Sequence, residues 1–266
     1  MPTKAPNVVA IIQARMGSSR LPGKVLADLV GQPMLSHVLR RAARIPDVDR
    51  CLVATTTSEN DQPIVDLCAE LGVKCFRGHP TDVLDRYYRA AVEAEADVIV
   101  RITGDCPLLD PDVSQRTLSA FLESDPPVDF AANRLPDHRT FPIGLDTEVC
   151  SFDALQTAHA QASAPHQREH VMPFLYENPD RFRIQLVDAE RDLSHLRWTV
   201  DTAEDLEFVR AVYRALAPDI DFGMAKVLAL LDRRPDLLNI NAQVEHRHLA
   251  DIDPRFERAD SPEEGA

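Results

Sequence analysis

The stretch Val8-Val9-Ala10-Ile11-Ile12-Gln13-Ala14-Arg15-Met16-Gly17-Ser18-Ser19-Arg20-Leu21-Pro22-Gly23-Lys24 changes character after Gln13. VVAIIQ shows no polar alternation, the pattern of a strand buried on both faces in a parallel sheet. The loop that follows holds two glycines, two serines and three cations, Arg15, Arg20 and Lys24, within ten residues. Open α/β sheets bind ligands at loops leaving the carboxyl ends of their strands. Glycines there let backbone N–H groups approach a ligand, and the serines add hydroxyl donors, so the segment reads as a phosphate cradle. It is not a Walker A loop: five residues separate Gly17 from Gly23, and Val25 stands where Ser or Thr would bind magnesium. No GxGxxG fingerprint is present either.

Working outward, apolar runs and helical patterns alternate. Residues 33–43 place Leu35, Val38, Leu39 and Ala42 on one face, and 51–57 (CLVATTT) is a β-branched strand pattern. A helix over 60–71 carries Ile64, Leu67, Cys68 and Leu71 and ends at Gly72. A short strand at 73–76 precedes a helix over 82–95 that offers Leu84, Tyr87, Tyr88 and Val92 to a core. The run 98–102 (VIVRI) is a further buried strand, followed by a helix over 111–123. This β-α order predicts the α/β class: a three-layer α/β/α, Rossmann-like, mostly parallel sheet of the nucleotide-diphospho-sugar transferase type.

Residues 128–188 are less regular and read as a mixed α/β excursion for acceptor binding or dimer contact. Strands are expected at 128–132, 145–152 and 182–187, and helices at 153–161 and 166–177, among Pro136, Pro142, Pro165, Pro173 and Pro179. The main fold resumes with a strand at 196–200 and helices at 202–216 and 224–231. One domain over 1–250 and a polar tail over 251–266 are expected.

Among 266 residues, 29 are basic and 43 acidic, for a net charge of −14. That balance excludes general binding to nucleic acid or anionic membrane, which needs a basic footprint. It leaves room for a small polyphosphate where a few cations converge. No apolar run approaches the roughly 20 residues that span a bilayer, and the N-terminus lacks signal-peptide architecture. Cys51, Cys68, Cys75, Cys106 and Cys150 are scattered with no CxxC pair, as expected for reduced thiols in a cytoplasmic protein.

A nucleoside triphosphate brings magnesium, which prefers hard oxygen ligands. Asp105 ends VIVRI-Thr103-Gly104 and Asp201 ends Leu196-Arg197-Trp198-Thr199-Val200, so both carboxylates fall on the sheet edge that carries the glycine loop. They are candidate metal ligands, and turn or helix-capping aspartates are the competing reading. Asp110 and Asp112 suit a helix start, and Glu204 and Asp205 a first turn.

These residues resemble the sugar cytidylyltransferases, the acylneuraminate and 3-deoxy-manno-octulosonate enzymes among them. The resemblance rests on QARMGSSRLPGKVL at 13–26, Arg101-Ile102-Thr103-Gly104-Asp105-Cys106-Pro107-Leu108 and Trp198-Thr199-Val200-Asp201-Thr202-Ala203-Glu204-Asp205-Leu206. The first motif is similar to the spore-coat-polysaccharide branch, and the likeness runs from about residue 7 to 245, including Leu238-Asn239-Ile240-Asn241. It implies attack by an acceptor oxygen on the α-phosphorus of CTP with loss of pyrophosphate, Mg²⁺ on Asp105 and Asp201, and triphosphate contacts from Arg15 and Lys24. It further implies that Gly17, Ser18 and Ser19 wrap the phosphates, with Ala14 and Thr103 beside the nucleotide and Thr55 and Thr56 near the base. No covalent intermediate is implied, and related excursions commonly form homodimers.

On the acceptor side, Gly144-Leu145-Asp146-Thr147-Glu148-Val149 and His166-Gln167-Arg168-Glu169-His170 match stretches that shape that site in relatives. Arg134, Arg168 and His170 are the cations expected for a small anionic acceptor, with Asp146 and Glu148 beside them. His166 and His170 share a helical face, but the residues between them are not those of a zincin. Two rival readings remain. A glycosyltransferase using a nucleotide-sugar donor often carries a D-x-D pair, where this chain has Pro107 after Cys106. A non-catalytic nucleotide-binding protein would have lost the carboxylates or the cationic loop.

Overall fold

A computed structural model describes residues 5–245; the expected polar tail lies outside the described residues. Strand β1 (Val8–Gln13) is an interior strand of a seven-stranded sheet, third from one edge. It pairs in parallel with β2 (Arg50–Thr56) on one side and β4 (Val98–Thr103) on the other. β3 (Lys74–Gly78) extends the sheet beyond β2. Beyond β4 come β6 (Glu148–Ser151), β5 (Phe130–Ala132) and β7 (Ile184–Leu186). Only β6 runs against its neighbours, antiparallel to β4 and β5.

The unbroken apolar run of β1 is explained by two cores. Val8, Ala10 and Ile12 face one core and Val9 and Ile11 the other, all buried. Helices α1 (Met34–Ala42), α2 (Gln62–Glu70) and α4 (Pro111–Leu122) pack on the first face, joined by α8 (Ala203–Leu216) and α9 (Met224–Arg233). Helices α3 (Val83–Glu93), α5 (Phe152–Gln161) and α7 (Pro173–Tyr176) cover the second, with the short α6 (Pro165–His170) against α3. The three-layer arrangement matches the expectation.

Three details differ from it. Val92 is exposed, because α3 turns Leu84 and Tyr87 to the core and leaves Tyr88 to stack on His159 at 4.1 Å between ring centroids. The helix expected over 166–177 breaks at Val171, where φ is 74° and ψ −58° and the Met172 N–H bonds the His170 carbonyl at 2.9 Å. That is a γ-turn closed between the end of α6 and the Pro173 that opens α7. The segment 196–200 forms one bridge, Ile143 to Arg197, in place of a strand of the sheet. Gly144, at φ +105°, makes this contact possible: a Cβ there would lie 2.5 Å from the Thr199 nitrogen.

Candidate active site

The loop after β1 is tied down from outside and left open inside. The Met16 N–H donates to Asp61 Oδ1 at 2.7 Å, and the Gly23 N–H closes the loop on the Met16 carbonyl at 2.9 Å. Gly23 adopts φ +73°, and from it the chain enters the short 3₁₀ turn Lys24–Leu26. Among the described residues, the backbone N–H groups of Gly17, Ser18, Ser19 and Arg20 meet no protein acceptor. Four donors left over on one loop are suited to an anion. The loop borders a cleft of about 280 Å³ that also exposes Gln13, Ala14, Thr103 and Asp105 at the carboxyl edge of the sheet.

Asp105 and Asp201 converge on Lys24. Its Nζ donates to Asp105 Oδ2 at 2.7 Å, Asp201 Oδ1 at 2.9 Å and the Val200 carbonyl at 2.8 Å. The Val200 N–H bonds the Asp105 carbonyl at 2.9 Å, which fixes the spacing of the two aspartates. Asp201 also receives Arg20 at 3.0 Å and Arg197 at 2.7 Å. Burial alone would raise the Asp201 pKa, but Lys24, Arg197 and Arg20 overcome it and hold the carboxyl down at about 2. Burial likewise works against the charge of Lys24, and the two carboxylates outweigh it, so its pKa is raised. The competing capping role falls to Thr202, whose hydroxyl accepts from Asp205 N, which leaves Asp201 turned to the cleft. Three oxygens around one cation form a hard donor set. Among the described residues no group of three or more His, Cys, Asp or Glu could hold a metal. Magnesium, however, commonly takes only one or two carboxylates and completes its shell with phosphate and water, so Asp105 and Asp201 fit it.

A family model described as "Cytidylyltransferase" matches residues 9–219, which include this loop and both aspartates. The chain belongs to the cytidylyltransferase family. It is a nucleotidyltransferase enzyme. The spore coat polysaccharide biosynthesis protein SpsF of Bacillus subtilis is 32% identical over 86% of this chain and 96% of its own length. An uncharacterised protein of Methanocaldococcus jannaschii is 36% identical over 93% and 99%. Among solved structures, a cytidylyltransferase from Leptospira borgpetersenii superposes with a TM-score of 0.83 at 30% identity, over 92% of this chain and 100% of that one. A CMP:2-keto-3-deoxy-manno-octonic acid synthetase complexed with CTP superposes at 0.60 with 25% identity, over 79% and 99%.

The residues expected on the acceptor side of this cytidylyltransferase are distributed less simply. His170 lines the cleft beside Glu169, at the end of α6. Arg168, Arg134, Asp146 and Glu148 lie outside its lining. Arg168 donates to Asp82 at 2.6 Å and to the His159 carbonyl at 2.7 Å, fastening α6 to the start of α3. Arg134 stands 3.5 Å from Asp146 and 3.6 Å from Glu148, Arg139 pairs with Asp146, and buried Arg101 pairs with buried Glu148. These ions knit β4, β6 and the hairpin at 134–139 together.

Three supporting residues escaped the sequence reading. Asp61, buried, receives the Thr56 hydroxyl as well as Met16 N, so Thr56 anchors the loop from below. Arg197 grips both Asp201 and Asp205, and Asn241 ties that pair to the closing segment through Arg197 O at 3.1 Å and Asp205 Oδ1 at 3.0 Å. Arg86 of α3 lines the cleft although it is 2% exposed. Asp61 and Arg86 sit at helical positions where polar residues are ordinary, so only contact could single them out.

Proposed function

We propose that this enzyme transfers CMP from CTP to a small anionic acceptor, a sugar or a phosphorylated or phosphonate compound, with release of pyrophosphate and with Mg²⁺ as cofactor. The observation that carries the reading is the convergence of Lys24 on Asp105 and Asp201 beneath a loop of open N–H groups. In the transfer, an acceptor oxygen attacks the α-phosphorus, the bond to the pyrophosphate oxygen breaks, and the acceptor proton leaves to solvent. Such chemistry depends on positioning and charge neutralisation more than on a covalent step. The N–H groups of Gly17, Ser18 and Ser19 receive phosphate oxygens, while Arg15 and Lys24 offset the charge that grows on the departing pyrophosphate. Bound at Asp105 and Asp201, Mg²⁺ would neutralise phosphate oxygen charge. Asp201 stays ionised at neutral pH, so its readiness for a cation needs no proton loss. The name of the Bacillus subtilis relative supports a place in polysaccharide biosynthesis. The His170 end of α6 is the side proposed for the acceptor, with Arg134, Asp146, Glu148 and Arg168 behind it.

The test is pyrophosphate release from each of the four ribonucleoside triphosphates with Mg²⁺ and pools of anionic sugars and phosphonates. The expected outcome is release from CTP alone that depends on one pool. Silence with every triphosphate, alongside turnover of a nucleotide sugar, would replace this reading with glycosyl transfer.

A further inference from the structure

The cations of the cleft fall into two groups. Lys24 and Arg20 are matched by Asp105 and Asp201. Arg15 and Arg86 are not: among the described residues neither has a carboxylate in ion-pair contact. For exposed Arg15 this costs little, since water solvates it. For Arg86 it is costly, because the residue is buried, at 2% exposure, and its Nε has no hydrogen-bond partner. Burial is the main cause of its lowered pKa; Arg15 adds to it, and Tyr87, Asp61 and Asp82 work against it without making an ion-pair contact.

The guanidinium is nonetheless held in place. Its Nη1 donates to the carbonyls of His79 and Pro80, and Gly78 leaves the room its chain needs: a Cβ there would lie 2.5 Å from Arg86 Cγ. A buried, oriented and unpaired guanidinium on the wall of a cleft has the donor geometry for an oxyanion.

Resting on the nucleotide reading above, we propose that Arg86 and Arg15 together hold a phosphate group of the triphosphate between them, so that Arg86 is a binding residue of the nucleotide site contributed by the second helical layer. The loop's own two other cations are engaged by carboxylates in direct contact, whereas Asp61 and Asp82 act on Arg86 only from beyond ion-pair distance, so this pair keeps its donors for a polyphosphate. The Nε of Arg86 gains its acceptor only when the ligand arrives.

The test is calorimetric titration of the full chain, with Mg²⁺, using inorganic tripolyphosphate and, separately, cytidine. Arg86→Gln is expected to weaken tripolyphosphate binding about 10- to 100-fold, the range of one charge-assisted hydrogen-bonded contact, and to leave cytidine unchanged. Arg86→Lys, which keeps the charge and loses the fork, is expected to fall between the two; should Arg86→Gln fail to fold, this variant decides by the same ratio. Weaker cytidine binding with unchanged tripolyphosphate would overturn the proposal in favour of a contact with the base. Unchanged binding of both, or no tripolyphosphate binding by the unsubstituted protein, would reduce Arg86 to a tether for the His79–Pro80 turn. An Arg86-dependent tripolyphosphate site in a protein that turns over no triphosphate would overturn the proposed function and leave this inference standing. CTP turnover with tripolyphosphate binding indifferent to Arg86 would do the reverse.

Discussion

Two ionic clusters lie on either side of β4, built from the same kinds of side chain. On the loop side, Lys24 meets Asp105 and Asp201 with side-chain exposures of 11%, 25% and 20%. On the excursion side, Arg101 meets Glu148 with exposures of 7% and 4%. The first cluster borders a cleft, and Lys24, Asp105 and Asp201 all line it. The second is enclosed between strands, where removing one partner leaves a buried charge alone. Proximity of opposite charges thus says little by itself about function; access to a space where a ligand fits separates the two.

The largest expected effect falls on the open cluster. Asp105→Ala and Asp201→Ala should each cut pyrophosphate release from CTP about 10³-fold while the thermal transition stays cooperative, the scale seen when a preorganised electrostatic group is removed. Near-normal rates for both would erase the distinction between the clusters. Lys24→Met should lower kcat about 10²-fold and weaken CTP, because the cleft then loses a cation held in place by Asp105 and Asp201 and proposed to offset charge on the departing pyrophosphate. A loss confined to thermal stability would class Lys24 with the enclosed ions.

Glu148→Gln should destabilise the fold by about 3–5 kcal/mol, measured by denaturant unfolding, with the CTP KM little changed, because Arg101 stays buried and unpaired. If stability holds and the acceptor KM rises instead, the enclosed cluster reaches the substrate after all. The smallest effect is the pH response of Asp201. Its folded pKa of about 2 lies below the ordinary carboxylate value of 3.8, so its stabilising contribution is complete above pH 4 and is lost as pH falls from there towards 2. Unfolding curves of Asp201→Asn should therefore converge on those of the unsubstituted protein only in that acid range.

Much of this was legible in the sequence because parallel strands buried on two faces announce themselves. VVAIIQ and VIVRI need no alternation to be recognised, and residues at their ends, Arg15 and Asp105, are placed on the ligand edge by topology alone. The excursion was harder. Its strands are three or four residues long, and Leu196–Val200, strand-like in composition, is held by Ile143 and Gly144 instead of a ladder. Nothing in the side chain of Val171 calls for φ 74°, and tertiary packing imposes it; the Pro173 two residues on was the readable sign that a continuous helix would fail. Asp61, Arg86 and Arg197 were hidden for another reason. Asp61 and Arg86 sit where polar residues are unremarkable, and the grip of Arg197 on Asp201 and Asp205, though local in the chain, depends on a turn whose geometry no residue type announces.

The hydrogen bond from Val200 N to Asp105 O also joins the sheet to a later part of the chain. The sheet's last strand ends at Leu186, whereas Asp201 and the Asn241 that braces Arg197 come later. Every strand of the sheet therefore precedes in the chain the residue that supplies half of the counter-charge of Lys24. A chain stopped after Leu186 would lose that counter-charge together with α8, α9 and Trp198, which cover the first core, so the packing of the sheet and the charge balance of the cradle would fail together.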